Sequence, residues 1–252
     1  MKLLKYALLI LFALDCTAQL ASTRRHKFVN SRDRVLHLHM DGADASTTFP
    51  DESASDHTVT ANGSAQVDTG QADPFGTNDG VLLLDGTDDY LSIPDSSDWT
   101  LTGDFTMEAR FRLTTDTNNQ TILSQSTDVT NYTQFLAKNH QGGGVSRVSF
   151  VIVDGGTLEV SLTSSIDPAL DQWYHAMVTR TGDVWRLFVD GVLEATQTKI
   201  FSYPDFTGTM DIGDTPIHAA DHELVGFIDE ARIINGASAH SSDFQPDATP
   251  YW

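Results

Sequence analysis

The chain has 252 residues, with 35 Asp or Glu against 15 Lys or Arg, a formal charge of -20 at pH 7. Such an excess repels a phosphate backbone and excludes a nucleic-acid groove on the acidic body. The single cysteine excludes an intrachain disulfide framework and a Cys-rich zinc site, while 40 % hydrophobic residues suffice for a packed core.

The charge is uneven. Lys2, Lys5, Arg24, Arg25, Lys27, Arg32 and Arg34 crowd the first 34 residues, opposed only by Asp15 and Asp33. This shift marks a boundary near residue 34. Tyr6 to Leu14 is apolar but far shorter than the roughly 20 residues of a bilayer span, so no transmembrane segment is predicted. A basic start, this run and then Cys16-Thr17-Ala18 fit a secretory signal peptide cleaved after Ala18. A terminal arm that docks on a partner is the alternative. Residues 1–34 are therefore read as signal peptide or arm, and residues 35–252 as one domain with a polar C-terminal tail.

The body reads as short strands. Leu36, Leu38 and Met40 alternate with His37, His39 and Asp41, which predicts a half-buried first strand. His57 to Ala61 and Ala65 to Asp68 read as a hairpin around Asn62-Gly63. Val81 to Leu84 and Tyr90 to Ile93 are strands joined by Asp85-Gly86-Thr87-Asp88-Asp89. Phe105, Met107, Ala109, Phe111 and Leu113 alternate with Thr106, Glu108, Arg110 and Arg112, the clearest half-buried strand in the chain. Strands follow at Thr121–Ser124, Gln134–Lys138, Val145–Val153, Thr157–Leu162, Trp173–Arg180, Val184–Val189, Val192–Thr198, Met210–Ile212 and Val225–Ile234, with Asp/Gly turns between several of them. No long helical periodicity occurs. About a dozen short strands with alternating faces predict an all-β, antiparallel two-sheet sandwich.

Five blocks in order carry a family resemblance. They are Leu84-Asp85-Gly86 with Asp89-Tyr90-Leu91, Asp104 to Glu108, Gln172 to His175, Leu187 to Gly191, and Gly226 to Ile233. Over about residues 35–240 the chain resembles the laminin-G-like modules of the concanavalin A-like lectin/glucanase superfamily, in the variety found in bacterial surface proteins and marine phage virion proteins. The resemblance implies a jelly-roll sandwich. It also implies a structural calcium near the first motif and the closing Asp-Glu motif, with Asp85 and Asp229 at the matching positions and Asp41 as a further ligand. Calcium takes six to eight oxygen ligands, and the Asp85–Asp89 turn offers several. The other reading of these aspartates is local amide capping, as in Asx-turns.

Sugar sites present aromatic faces beside polar groups. Trp99, Tyr132, Tyr203 and Phe206 lie in or next to loops and are the candidates for a binding rim, whereas Trp173, Tyr174 and Trp185 are read as packing residues. The superfamily's hydrolases need two carboxyl groups about 5–5.5 Å apart for retention. Of the six glutamates only Glu223 has a carboxylate two residues away, Asp221, in a polar segment rather than on a strand, and Glu108 is followed on its face by Arg110 and Arg112. The hydrolase pattern is absent, and a non-enzymatic module is predicted. His37, His39 and Asp41 share one strand face; a metal cluster is one reading of this row, and a solvent-facing row is the expected one.

The chain is thus read as an extracellular or virion-surface recognition module for glycans. The rivals are a structural virion or surface component that binds only protein neighbours, and a divergent polysaccharide hydrolase. A glycan or a protein surface is the expected partner, with homo-oligomeric or virion assembly open. The expected location is secreted or cell-surface, with the virion as alternative.

Overall fold

The computed structural model describes residues 33–116, 119–140, 146–218 and 222–251. The signal-peptide or arm expectation for residues 1–32 lies outside them. The described residues form fifteen strands: β1 (Arg34–Leu38), β2 (Thr60–Asn62), β3 (Gln66–Asp68), β4 (Val81–Asp85), β5 (Tyr90–Ile93), β6 (Phe105–Leu113), β7 (Gln120–Asp128), β8 (Asn131–His140), β9 (Ser146–Asp154), β10 (Thr157–Thr163), β11 (Trp173–Thr181), β12 (Val184–Val189), β13 (Val192–Thr198), β14 (Met210–Ile212) and β15 (Val225–Asn235). One 3-10 turn, Ser97–Trp99, is the only helical element among them.

The strands make two sheets with antiparallel ladders throughout. The larger runs β13-β12-β11-β6-β15-β4-β3, with β1 also on β15; the smaller runs β10-β9-β8-β7-β14-β5-β2. Alternation fills the space between them. Phe105 and Trp185 of the larger sheet meet edge to face at 5.7 Å, and Phe150 of the smaller sheet stacks on Trp185 at 6.4 Å. Such aromatic pairs add to the gain from their buried area. This is the predicted jelly-roll sandwich.

Two local expectations are corrected. The Asn62-Gly63 turn forms, with Ala65 N donating to Asn62 O at 3.2 Å, but it does not close a hairpin. β2 pairs with β5 in one sheet and β3 with β4 in the other. Strands of three residues bury little against each other, and each gains a longer partner by parting. The turn therefore crosses a corner of the sandwich, packed on the β4–β5 loop. A Cβ on Gly63 would lie 2.5 Å from Asp88 O, and the residue has φ +63, so this contact requires glycine.

The second correction concerns the strands read as half-buried. β1 and β6 are buried on both faces, with His37 2 % and Glu108 1 % exposed. The cause is the polar tail after β15, which folds back over the outer face of the larger sheet. Thr179 Oγ1 donates to His240 O at 3.1 Å, Arg110 donates to Asp247 O, and Phe244 packs edge-on to Phe188 at 5.5 Å. A segment of mixed polarity cannot be assigned to a sheet face by periodicity.

Candidate functional site: an acidic cleft beside the smaller sheet

The register of the smaller sheet puts Leu91, Ile212, Leu123, Phe135 and Phe150 in one inward row. The adjoining row, Ser92, Asp211, Ser124, Gln134 and Val151, therefore faces outward. Over it fold residues 213–218 and 222–224. Gly213 N donates to Ile122 O at 3.1 Å, Ser124 Oγ donates to Asp214 O at 2.7 Å, and Thr121 and Thr215 share a hydroxyl contact at 3.0 Å. The His218 and Tyr132 rings meet in a T-shaped pair with centroids 4.9 Å apart.

Between these residues, the Asn62-Gly63 turn and the β4–β5 loop opens a cleft of about 420 Å³, lined by Asn62, Asp88, Tyr90, Asp214, His218 and Glu223 among others. Asn62 is held rigidly, its Nδ2 donating to Ser92 Oγ at 3.0 Å and to Tyr90 O at 3.3 Å. Burial, then the charges of Glu223 and Asp88, pushes Asp214 up to about 6. Under the cleft, Asp211 is only 2 % exposed, and burial pushes it up to about 7. Its Oδ2 accepts from Thr209 Oγ1 at 3.0 Å, while Oδ1 has no partner, and nor has the nearby Gln134 Nε2. Concave shape, partly desolvated carboxylates, an amide, a phenol and an imidazole are groups that can hydrogen-bond to and stack on a ligand.

The outer face of the larger sheet is polar too, but closed by the tail. Glu108 accepts from Arg232 Nε at 2.8 Å, and its other oxygen accepts from Tyr251 Oη at 3.0 Å with His175 Nε2 at 2.9 Å. Burial opposes this charge, yet Arg232 and His175 hold the Glu108 carboxyl far below its usual range. The carboxylate is saturated and shut in, a structural acid rather than a proton donor.

The residues predicted for sites fare unequally. Trp99, Tyr203 and Phe206 are not a rim: each is 1–2 % exposed, in the core. Segments 94–104 and 199–209 plug one end of the sandwich, and Trp99 Nε1 donates to Pro94 O at 3.1 Å. Tyr132 alone of the four stands half-buried on the outward side, next to His218. Asp85 and Asp229 are not brought together. Asp85 pairs with Val225, four residues from Asp229 along β15, about 13 Å at 3.3 Å per residue. Both are committed locally, Asp85 Oδ1 accepting from Thr87 N at 2.8 Å and Asp229 Oδ1 from Glu230 N at 2.9 Å. These residues do not fit a shared calcium, whose oxygens lie at 2.3–2.6 Å. Asp41 is exposed, yet close enough to Asp229 to help burial and Glu230 push that acid up to about 9.

His37, His39 and Glu230 do come together. Of the row read as solvent-facing, His37 is buried beside Tyr251 of the tail and Asp41 stays exposed, and Tyr251 N donates to Glu230 Oε2 at 3.0 Å. Sequence reasoning missed the cleft because its third wall, from Asp214 onward, comes more than 120 positions after the two loops it faces. The only available signals were the Asn-Gly turn and the aspartates beside it.

A sandwich of this topology, with its open cleft at one corner, is a concanavalin A-like β-sandwich. Residues 85–241 match a laminin-G model described as the concanavalin A-like lectin/glucanases superfamily, and the chain belongs to that superfamily. Among solved structures it resembles domain 4 of AbnA, a GH43 extracellular arabinanase from Geobacillus stearothermophilus, in complex with arabinotriose. There the identity is 17 % and the TM-score 0.58, over 81 % of this chain and 93 % of that one. It also resembles the receptor binding domain of botulinum neurotoxin C/D mosaic serotype, at 13 % identity and TM-score 0.60, and the binding domain of Paraclostridial Mosquitocidal Protein 1, at 11 % and 0.60. It covers 83 % of its own length in both matches and spans 50 % and 51 % of those domains. These likenesses carry the fold. No curated protein matches the chain.

Proposed function

We propose that the chain is a non-catalytic glycan-binding module whose ligand sits in the acidic cleft. The observation that carries this is the convergence of Asp88, Asp214 and Glu223 with Asn62 and Tyr90 around about 420 Å³ of concave space. Carboxylates accept from sugar hydroxyls in charge-assisted bonds, and the Tyr90 and His218 rings give the apolar faces of a sugar something to lie on. The arabinotriose in the complex of the AbnA domain is a glycan held by a sandwich of this fold. The non-catalytic reading is supported by the binding domains among the similar structures and by two placements outside the cleft, whose own acids, Asp88, Asp214 and Glu223, are read as hydroxyl acceptors. Asp211 is too buried to reach a glycosidic oxygen, and Glu108 is locked beneath the tail. The family resemblance and the signal-like first segment support a place outside the cytoplasm, on a bacterial surface or a virion, for a domain of residues 35–252.

A second reading is a structural component that contacts only protein. It is favoured by Leu158, Val192 and Ile200, which are 56, 50 and 86 % exposed on or beside β10 and β13, the two edge strands that adjoin. Titration calorimetry with a panel of neutral and acidic oligosaccharides, beginning with arabinotriose, separates the two. The module reading predicts saturable binding that Asp214→Ala abolishes. Heat from no sugar, together with self-association that Ile200→Asp disrupts, would favour the protein-contact reading.

A further inference from the structure

We propose that His37, His39 and Glu230 form a binding site for a divalent metal of the zinc type, which staples β1 to β15. The inference is independent of the glycan reading, since the two sites lie on different sheets.

The donor set follows from strand geometry. His37 and His39 are two apart, so their side chains share a face. β1 lies on β15 with His37 opposite Arg232, and the ladder of β15 with β6 is interrupted between Asp229 and Arg232. Glu230 sits in that bulge at φ +52, and bulges re-aim side chains. Here the bulge turns the Glu230 carboxylate onto the histidine row. One ligand atom from each residue lies within 4.8 Å of the others. His39 Nδ1 is 2.5 Å from Glu230 Oε1, and His37 Nε2 is 3.9 Å from Glu230 Oε2.

Two features point to a ligand rather than to a closed hydrogen-bond network. His37 is 2 % exposed, yet its Nε2 has no hydrogen-bond partner and faces the carboxylate across a gap too long for one. A buried polar atom left in this state is costly, and a metal ion would satisfy it. The other ring nitrogen of His39, Nε2, lies 3.4 Å from Glu52 Oε2. A metal-bound imidazole characteristically gives its second N–H to a carboxylate, which fixes its tautomer and orientation. Tyr251 N steadies Glu230 in the same way.

Two imidazoles and one carboxylate suit zinc and its neighbours. Calcium and magnesium want oxygen alone. Zinc bonds of about 2.0–2.2 Å in tetrahedral geometry place donors a little over 3 Å apart, between the two separations seen here. The fourth position falls to water or to the second Glu230 oxygen. One contact must yield: Arg34 NH1 lies 3.4 Å from His37 Nδ1, and once Nε2 binds metal the ring proton belongs on Nδ1. Arg34 is only partly buried and can swing outward.

The test uses the full untagged chain, stripped with chelator and titrated calorimetrically with Zn2+ in millimolar calcium. One equivalent should bind, a raised melting temperature should follow by mass action, and Co2+ should give the visible bands of a four-coordinate, nitrogen-ligated ion. His37→Ala and His39→Ala should each remove the tight site, Glu52→Gln should weaken it by about 10-fold, and Arg34→Ala should keep or tighten it. The proposal is overturned by an absence of saturable Zn2+ binding, by calcium competing on equal terms, or by a tight site surviving in the His37→Ala, His39→Ala double variant. If those variants fail to fold, the Co2+ spectrum of the wild-type chain decides, and six-coordinate bands alone would refute the site.

Discussion

Tyr251, near the end of the chain, puts its hydroxyl 3.0 Å from Glu108 in the middle of β6. The two are 143 positions apart, and the contact ties the polar tail to the centre of the larger sheet. With Arg232 over the Tyr251 ring at 3.7 Å, the tail becomes a third layer on that face. The smaller sheet is therefore the side with an open cleft.

Breaking the buried pair should be costly. Glu108→Gln leaves Arg232 uncompensated and should destabilise the fold at pH 7 by about 3–5 kcal/mol. The Glu108 carboxyl is held below its unfolded value, so its contribution is present above about pH 4.3 and lost as pH falls toward its folded value. Thermal denaturation should show the gap between wild type and variant closing below pH 4. A constant gap would mean that the loss comes from packing.

Asp211 should show the opposite sign. Its folded pKa of about 7 lies above the unfolded value, so the native state holds a proton that the unfolded chain releases between about pH 4 and pH 7. Stability then falls as pH rises through that window and levels off above it. Asp211→Asn should match wild type at pH 4 and exceed it at pH 8, by at most about 4 kcal/mol. Equal melting temperatures at pH 8 would show Asp211 to be better solvated than its burial implies.

Glycan affinity should depend on pH through Asp214. The ionised carboxylate is the stronger acceptor, and its pKa is about 6. Titration calorimetry should find binding several-fold weaker at pH 5 than at pH 7.5, with the difference lost in Asp214→Asn.

The tail supplies a control. Phe244 stacks on His240 at 3.7 Å and meets Phe188 edge-on at 5.5 Å. Phe244→Ala should cost about 2 kcal/mol by loosening the tail, less than a fully buried phenylalanine, and leave glycan affinity unchanged. A loss of affinity would move the site to the larger sheet.

The sandwich was legible because alternation is local. Phe105 to Leu113 states its two faces within nine residues, and the Asp-Gly turns bound the strands. The sites were less legible because they are not local. His37 and His39 were visible as a row, but nothing near them announced that a bulge nearly 200 positions later would bring Glu230 against them. Trp99, Tyr203 and Phe206 sit in polar stretches that sequence reads as surface, and only the closed end of the sandwich shows that those stretches are plugs. Asp85 carries the recognisable motif, whereas its neighbour Asp88 faces the cleft.

The most direct measurement of the central claim is an oligosaccharide array probed with the wild-type chain beside Asp214→Ala, folding of both being verified by thermal denaturation. The account predicts a defined set of glycans bound by the wild type and lost in the folded variant. An array blank for both, or glycans held equally by both, would contradict it.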